Sequence, residues 1–165
     1  MELWHKDRLI AKATNDAVKN TLNPVFNDTV FFDLPELGLD GLKNIRLDFT
    51  VLDKDIGNDD KLGHLSIGGE YNEGTSLLHW NKVNTSPYHE SEMWHSFHQT
   101  NIAKQPAIDP EQELGDPEIL SAELLISLCY EKNAKKLHVK VFKARNLPKF
   151  DKFGLSGLYH FFYFF

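Results

Sequence analysis

The sequence predicts an all-β fold, an antiparallel sandwich, and three observations support it. Several short stretches alternate apolar and polar residues, a period of two that is typical of half-buried strands. Pro, Gly and short polar turns separate these stretches, as they do in antiparallel sandwiches. Only one stretch has the pattern of a helix. The length of 165 residues predicts one hydrophobic core, or parts of two, rather than two complete cores.

The strongest alternation lies in three segments. In Ile45–Leu52 the apolar residues occupy every second position and point to one face. Ser121–Tyr130 and Lys136–Ala144 share this pattern, and the short polar segment Glu131–Lys135 between them predicts a hairpin. The one predicted helix, of about two turns, is Thr75–Val83. Further strands are predicted at Asp28–Leu34, Lys61–Ile67 and Glu92–Phe97.

Residues Gln99–Leu120 separate two strand-rich parts of the chain. They contain three prolines among polar and acidic residues and show no sustained periodicity, which is typical of a linker. The predicted organisation is therefore a segment of residues 1–99, a linker of residues 100–120 and a segment of residues 121–165.

The composition argues against several classes of protein. A formal net charge of −6 argues against nucleic-acid binding, because phosphate backbones are held by clustered Lys and Arg. The single Cys129 cannot form an internal disulfide, and no secretion signal is visible, so a cytoplasmic location is predicted. No stretch approaches the roughly 18 apolar residues of a membrane span. Any membrane contact is therefore predicted to be peripheral.

An acidic turn, Asp53–Asp60, lies between two predicted strands. Its four Asp and one Lys give a formal charge of −3 over eight residues. Calcium takes six to eight oxygen ligands and favours carboxylates, so closely spaced Asp residues on a loop suit it. A solvated acidic turn explains the same residues, because Asp and Asn are common turn formers. The spacing alone leaves both interpretations open.

The motif V-L-D-K-D of Val51–Asp55, followed by D-K-L-G at Asp60–Gly63, resembles the third calcium-binding loop of synaptotagmin-type C2 domains. Other motifs appear in the order that this family has them. They are T-L-N-P-V-F-N at Thr21–Asn27, F-D-L-P at Phe32–Pro35, L-H-W at Leu78–Trp80 and W-H at Trp94–His95. The chain is thus similar to the synaptotagmin and rabphilin group of tandem C2-domain proteins. This resemblance implies a C2-type Greek-key β-sandwich.

A second resemblance begins after the linker. Ala122–Tyr130 looks like the first strand of a synaptotagmin-type C2 domain, and Leu137–Val141 looks like the second. Asp151 then falls on the leading aspartate of the family's first loop. Gly157 and Leu158 stand where the family reads D-P, which removes one expected ligand carboxylate.

The two resemblances come in an unusual order. Segment 1–99 resembles a C2 domain from its third strand to its end, and segment 121–165 resembles one from its first strand to the start of its third. This order predicts a fragment that spans the junction between tandem domains. The two parts are also complementary, because a flexible linker of about 20 residues reaches about 25 Å. We therefore expect strands 121–144 to dock on strands 28–67 and to complete a circularly permuted sandwich.

The resemblance implies a calcium cup formed by loops at one end of the sandwich, with Ca²⁺ as the cofactor. Between Asp55 and Asp60 the loop is one residue shorter than in the family, so Asp59 is an alternative to Asp60. The implied calcium ligands are Asp53, Asp55, Asp59, Asp60 and Asp151. The implied membrane contacts are Ile56, Phe150 and Phe153, and a weak basic patch comprises Lys6, Arg8, Lys12 and Lys19. In the alternative interpretation the apolar residues pack internally and the basic stretch is a solvated edge strand.

The function implied by the resemblance is that of a non-catalytic, calcium-dependent phospholipid-binding module of a vesicle-trafficking or exocytosis protein. Such a module is peripheral at the vesicle or plasma membrane, and a membrane-anchored parent protein is left open. Its implied partners are anionic phospholipid membranes and SNARE-type fusion-machinery proteins, with no nucleic acid. Two alternatives remain: a calcium-independent adaptor that binds fusion-machinery proteins, and the regulatory C2 domain of a signalling enzyme.

No catalytic or zinc constellation is predicted from the Cys and His residues. Cys129 lies in the middle of a predicted strand without an evident partner, where a buried thiol is ordinary. His95 and His98 are an odd number of residues apart on one predicted strand, so they are expected on opposite faces. A zinc site that combines them with His89 is therefore not expected.

Overall fold

A computed structural model describes residues 1–16, 18–19, 21–34, 41–54, 59–69, 73–99, 121–147 and 158–160. For residues 19, 43, 54, 59–60, 99 and 158–160 only the backbone is described. The strands are β1 (Glu2–His5), β2 (Arg8–Lys12), β3 (Val18–Lys19), β4 (Val25–Asp33), β5 (Ile45–Lys54), β6 (Asp59–Gly68), β7 (Glu90–Ser96), β8 (His98–Gln99), β9 (Glu123–Glu131), β10 (Lys136–Arg145) and β11 (Leu158–His160). The helices are a short 3-10 helix (Leu42–Asn44) and α1 (Gly74–Thr85).

The strands form two antiparallel sheets. In the first sheet the strand order is β2-β1-β5-β11-β3, and β6 pairs with both β5 and β8. In the second sheet the order is β4-β10-β9-β7. A hydrophobic cluster with side chains from both sheets lies between them. This architecture confirms the predicted all-β antiparallel sandwich.

The hairpin of β9 and β10 lies in the middle of the second sheet. β10 pairs with β4, and Val139 is directly opposite Val30. β9 pairs with β7, and Ile126 is directly opposite Met93. The expected docking of strands 121–144 is therefore observed. These strands supply the two central positions of a sheet whose outer strands come from the first segment.

The hydrophobic core depends on both segments. Alternate residues of β9 and β10 point into it, and Leu128 and Val139 are fully buried. Alternate residues of β5 reach it from the other sheet, and Phe49 is fully buried there. Burial of side chains of this size stabilises a fold by about 1.5–3 kcal/mol each. Neither segment covers its own apolar face without the other.

Helix α1 is longer than predicted, with 12 residues rather than about two turns. It contacts β6 and β7 through one face, since its buried residues recur at helical spacing. These residues are Ser76, His79, Trp80 and Val83. Tertiary packing sets its length, because the last helical residues Asn84 and Thr85 are weak helix formers. Within the described ranges, no helix has the length and apolar character needed to cross a bilayer.

Strands β1 and β2 were not among the predicted strands. β1 pairs with β5 and carries the fully buried Leu3. With only four residues, it has too little alternation for a clear signal. β2 lies at the edge of the first sheet in the strand order, a position that fits the solvated edge strand considered for this stretch.

Truncation of Leu128 tests the shared core. Leu128 lies on β9 and is fully buried, so Leu128→Ala is expected to lower the free energy of unfolding by about 2–5 kcal/mol. Trp4, Trp80 and Trp94 are the three tryptophans of the chain, and all lie in the first segment. Tryptophan fluorescence in a urea titration therefore reports on that segment. We expect its transition to move to lower urea.

The matched control is Leu78→Ala, which removes the same atoms from a side chain that is not in the core. Leu78 lies on α1 and is 47% exposed. Its truncation is expected to change the free energy of unfolding by less than about 0.5 kcal/mol. An unchanged fluorescence transition in Leu128→Ala would contradict a core shared by the two segments.

Candidate functional site

The acidic end of the sandwich is formed where β5 ends and β6 begins. The strand register puts Asp60 directly opposite Asp53, and Asp59 opposite Lys54. Asp53 is only 2% exposed, and Val51 and Leu52 just before it are also buried. Direct cross-strand partners occupy the same face of a sheet. The register thus identifies Asp60, rather than Asp59, as the cross-strand neighbour of Asp53.

Strand β11 brings the second segment to the acidic end. Tyr159 on β11 lies directly opposite Asp53 on β5. Because β11 is antiparallel to β5, Leu158 is the β11 residue nearest to the end of β5. Asp151 precedes Leu158 by only a few residues in the sequence. The second segment therefore contributes backbone beside the buried carboxylate.

Several predicted site residues lie outside the described residues. They are Asp55, Ile56, Phe150, Asp151 and Phe153. Among the residues that the structure describes, no group of three or more His, Cys, Asp or Glu side chains is arranged to hold a metal ion. The calcium ligand set and the membrane contacts therefore stay predictions.

The residues of the predicted basic patch are spread over the first sheet. Lys6 lies in the turn between β1 and β2, Arg8 begins β2, and both are exposed. Lys12 forms an ion pair with Glu2 at 2.7 Å. Lys19 lies on β3, which joins β5 through β11 beside Asp53, whereas β2 joins β5 through β1 near Ile45. The backbone brings Lys6 and Arg8 together, but it places Lys19 near the other end of β5.

Two buried histidines, His79 on α1 and His95 on β7, are hydrogen-bonded to each other. His79 Nδ1 lies 2.8 Å from His95 Nε2, and His79 Nε2 lies 3.0 Å from the carbonyl oxygen of Ser91. A carbonyl oxygen only accepts, so His79 Nε2–H is the donor to Ser91. His79 Nδ1 then accepts from His95 Nε2–H. His95 Nδ1 is left as a bare acceptor, and no described group pairs with it.

Burial keeps this histidine pair neutral. It lowers the pKa of His95 to about 4, and the neighbouring His79 adds to the effect. The pKa of His79 is also lowered by burial, although the hydrogen bond to the Ser91 carbonyl offsets part of the decrease. Both rings are uncharged at neutral pH, which fixes the order of donors and acceptors in the pair.

A cavity of about 410 Å³ lies beside the histidine pair. Its wall is polar and includes His64, Ser66, Glu73, Ser76, His95 and His98. His64 and His98 form its exposed rim, whereas His95 is fully buried. The cavity therefore joins the buried pair to two solvent-accessible imidazoles.

The expectation that His95 and His98 face opposite sides is wrong, because both line this cavity. The alternation of a strand holds only while the strand continues. Here it breaks at Phe97, where the chain leaves β7 in the second sheet and enters β8 in the first. The rule that residues an odd number of positions apart face opposite sides therefore does not apply across Phe97.

Cys129 is half-buried on β9, and its thiol is not activated. Burial raises the pKa of the Cys129 thiol, and the carboxylates of Glu90 and Glu131 raise it further. A nucleophilic Cys needs a lowered pKa, since the thiolate is the reactive form. Cys129 therefore offers no nucleophile at neutral pH.

Because the buried histidines resist protonation in the folded state, we predict that the free energy of unfolding decreases as the pH falls from about 6.5 to about 4. In the unfolded chain these imidazoles take up protons near the ordinary pKa of 6.5, whereas folded His95 does so only near pH 4. The unfolded state thus binds more protons in this window, so the free energy of unfolding decreases with falling pH, by roughly 3 kcal/mol for His95. Carboxylates titrate mainly below this window. Urea titrations across it measure the change.

The double variant His79→Asn/His95→Asn is the comparison for this pH profile. It is expected to be less stable than the parent chain at pH 7 and to lose less stability between pH 7 and about 5. His5→Asn, on β1, is the control and is expected to keep the slope of the parent chain. An unchanged slope in the double variant would contradict the assignment of the pH dependence to the buried pair.

Comparison with known proteins gives the chain a family and several relatives. It matches the family model described as C2 domain over residues 2–83 and 135–164. It is 33% identical over 96 residues to Synaptotagmin-4 of Homo sapiens. It is 31% identical over 97 residues to Synaptotagmin-B of Diplobatis ommata, and 32% identical over 97 residues to Synaptotagmin-13 of Homo sapiens.

Each of these alignments covers 58% of this chain and 21–22% of the relative. The chain therefore spans about a fifth of the length of the relatives that it matches. No solved structure matches it significantly. The residues matched by the family model make up more than half of the chain, and they include strands of both sheets. The chain therefore belongs to the C2 domain family, as a synaptotagmin-like C2 module.

Proposed function

We propose that this C2 module binds calcium at the acidic end of the sandwich and, with calcium bound, binds anionic phospholipid membranes. The observation that carries the proposal is the buried carboxylate of Asp53 at the end of β5, with Asp60 directly opposite on β6. The C2 family match and the synaptotagmin relatives support it.

The donor set of the acidic end suits calcium. Calcium is a hard cation that takes six to eight oxygen ligands, many of them carboxylates. The four Asp and one Lys of residues 53–60 give a charge of −3, and such like charges repel each other without a counter-ion. The proposed ligands are Asp53, Asp55, Asp60 and Asp151, with Asp59 as the alternative to Asp60.

The fold holds the backbone of Asp53 on both sides. β6 pairs with β5 along its length, and β11 pairs with it beside Asp53. A carboxylate on a fixed strand end loses little conformational entropy when it binds a ligand. Bound calcium supplies positive charge that offsets the carboxylates and attracts lipid phosphates. Membrane binding would therefore depend on the change of charge at this end.

Membrane contact is proposed for the apolar residues Ile56, Phe150 and Phe153. Apolar side chains that enter the lipid interface add about 25 cal/mol per Å² of buried surface to the electrostatic attraction. The module would then lie at the cytoplasmic face of a vesicle or plasma membrane and act in vesicle trafficking or exocytosis. SNARE-type fusion-machinery proteins are further proposed partners. The proposed role is binding, without catalysis.

One observation favours a calcium-independent adaptor as a second candidate. Gly157 and Leu158 replace the D-P of similar C2 domains, so one ligand carboxylate is missing from the sequence just before Tyr159. Fewer carboxylates mean weaker calcium binding. In this second proposal the acidic end is a solvated turn, and the sheet surfaces bind fusion-machinery proteins instead.

Substitution of Asp53 tests the calcium proposal. Asp53→Asn keeps the shape of the side chain and removes its charge, so calcium affinity is expected to fall by about tenfold or more, since loss of a metal ligand costs at least as much as loss of a supporting partner. Calorimetric titration of the purified chain with calcium measures this change. Asp55→Asn is expected to have a similar effect. Co-sedimentation with vesicles that contain phosphatidylserine is expected to need calcium, and to weaken in both variants.

The matched control is Asp33→Asn, because Asp33 lies at the end of β4 and pairs with Lys136 at 3.5 Å. β10 runs from Lys136 to Arg145, and Lys136 begins it at the end of the sandwich remote from the acidic end. Asp33→Asn is therefore expected to bind calcium like the parent chain. A folded parent chain that shows no heat up to millimolar calcium would refute the proposal and favour the adaptor.

A further inference from the structure

Two exposed histidines face each other across neighbouring strands at the rim of the 410 Å³ cavity. His64 on β6 and His98 on β8 are direct cross-strand partners. Their ring centroids are 5.7 Å apart, and the ring planes are inclined by 39°. This arrangement is not a stacked contact, and it leaves room between the rings.

The spacing of the two rings matches that of imidazoles on one metal ion. Zinc binds imidazole nitrogen at about 2.0–2.1 Å, which puts the centroids of two rings on one ion roughly 5–6 Å apart. The observed separation of 5.7 Å falls in this range. Both side chains are exposed, so their rings can rotate about the side-chain torsions when they bind an ion.

A second, independent observation points to a ligand in the same cavity. His95 is fully buried and lines the cavity, and its Nδ1 has no partner among the described residues. A buried acceptor without a donor is costly, and it is usually explained by water or a bound ion. A water bound to a metal is a strong hydrogen-bond donor of the kind that Nδ1 lacks.

The hydrogen bonds behind His95 fix the tautomer of its ring. A neutral imidazole that donates through one ring nitrogen accepts through the other. Here His95 Nε2–H donates to His79, and His79 donates to the carbonyl oxygen of Ser91. The relay keeps a lone pair on His95 Nδ1, at the wall of the cavity.

The choice of metal follows from the imidazole ligands, because the charges around the cavity balance. Glu73 is part of the wall, and Asp48 accepts a hydrogen bond from the wall residue Ser66 at 2.7 Å. Asp48 also forms an ion pair with Arg46 at 3.0 Å, and Lys61 acts on His64. Imidazole ligands select zinc-class metals over calcium and magnesium, which prefer oxygen.

We propose that His64 and His98 bind a zinc-class transition-metal ion at the rim of this cavity, with water as the remaining ligands. Two protein ligands agree with the finding that no three metal-binding side chains are preassembled among the described residues. The site lies on β6 and β8 at Gly63–His64 and His98–Gln99, and it uses no residue of the proposed calcium site. It is therefore independent of the proposed function.

The test is a calorimetric titration of the 165-residue chain with zinc sulfate, after removal of bound metal with a chelator. The parent chain is expected to bind one zinc ion per chain. His64→Ala and His98→Ala are each expected to weaken this binding by about tenfold or more, since loss of a ligand costs at least as much as loss of a supporting partner. The matched control is His138→Ala on β10, in the other sheet, which is expected to bind zinc like the parent chain.

A second arm repeats the zinc titration in excess calcium. Zinc binding that persists there supports a site separate from the acidic end. Zinc that is displaced by calcium, or that binds equally to all three variants, would overturn the proposal. So would the absence of zinc binding by a folded parent chain up to millimolar zinc. Circular dichroism of each variant confirms that it is folded before its affinity is compared.

Discussion

The insertion of β9 and β10 between β4 and β7 is the pairing on which the rest of the structure depends. Without this hairpin, β4 and β7 would each expose a row of unpaired backbone groups, and the apolar face of β5 would lack a covering layer. The hairpin also carries the chain towards β11, which pairs with β5 beside Asp53. Core and acidic end therefore both depend on strands that lie late in the chain.

Strand β5 couples the hydrophobic core to the acidic end. Phe49 and Val51 are fully buried in the core, and Asp53, two residues after Val51 on the same strand, is only 2% exposed. Its backbone pairs with β6 and β11, so the strand that anchors the core also carries the buried carboxylate. A ligand that binds it in the folded state alone would stabilise the domain by mass action.

Local periodicity predicted the long strands, because each has enough alternating residues to average out exceptions. β5, β9 and β10 start and end within two residues of their predicted limits. The short strands β3, β8 and β11 have two or three residues each, so long-range pairing alone defines them. The same holds for the site: the register that sets Asp60 opposite Asp53, and the contact of His79 with His95, are decided by tertiary structure. The aspartates themselves could be proposed from their residue types, but their neighbours could not.

The most direct test is whether a single chain completes its own sandwich in permuted order. An isotope-filtered NOE experiment on an equal mixture of labelled and unlabelled chains distinguishes contacts within one molecule from contacts between two. We expect NOEs between Val139 and Val30, and between Ile126 and Met93, which are direct cross-strand partners, to arise within one molecule. NOEs between labelled and unlabelled chains would show instead that two molecules exchange the β9–β10 hairpin. The absence of both sets would show that the hairpin is not docked, and either result would contradict the permuted sandwich.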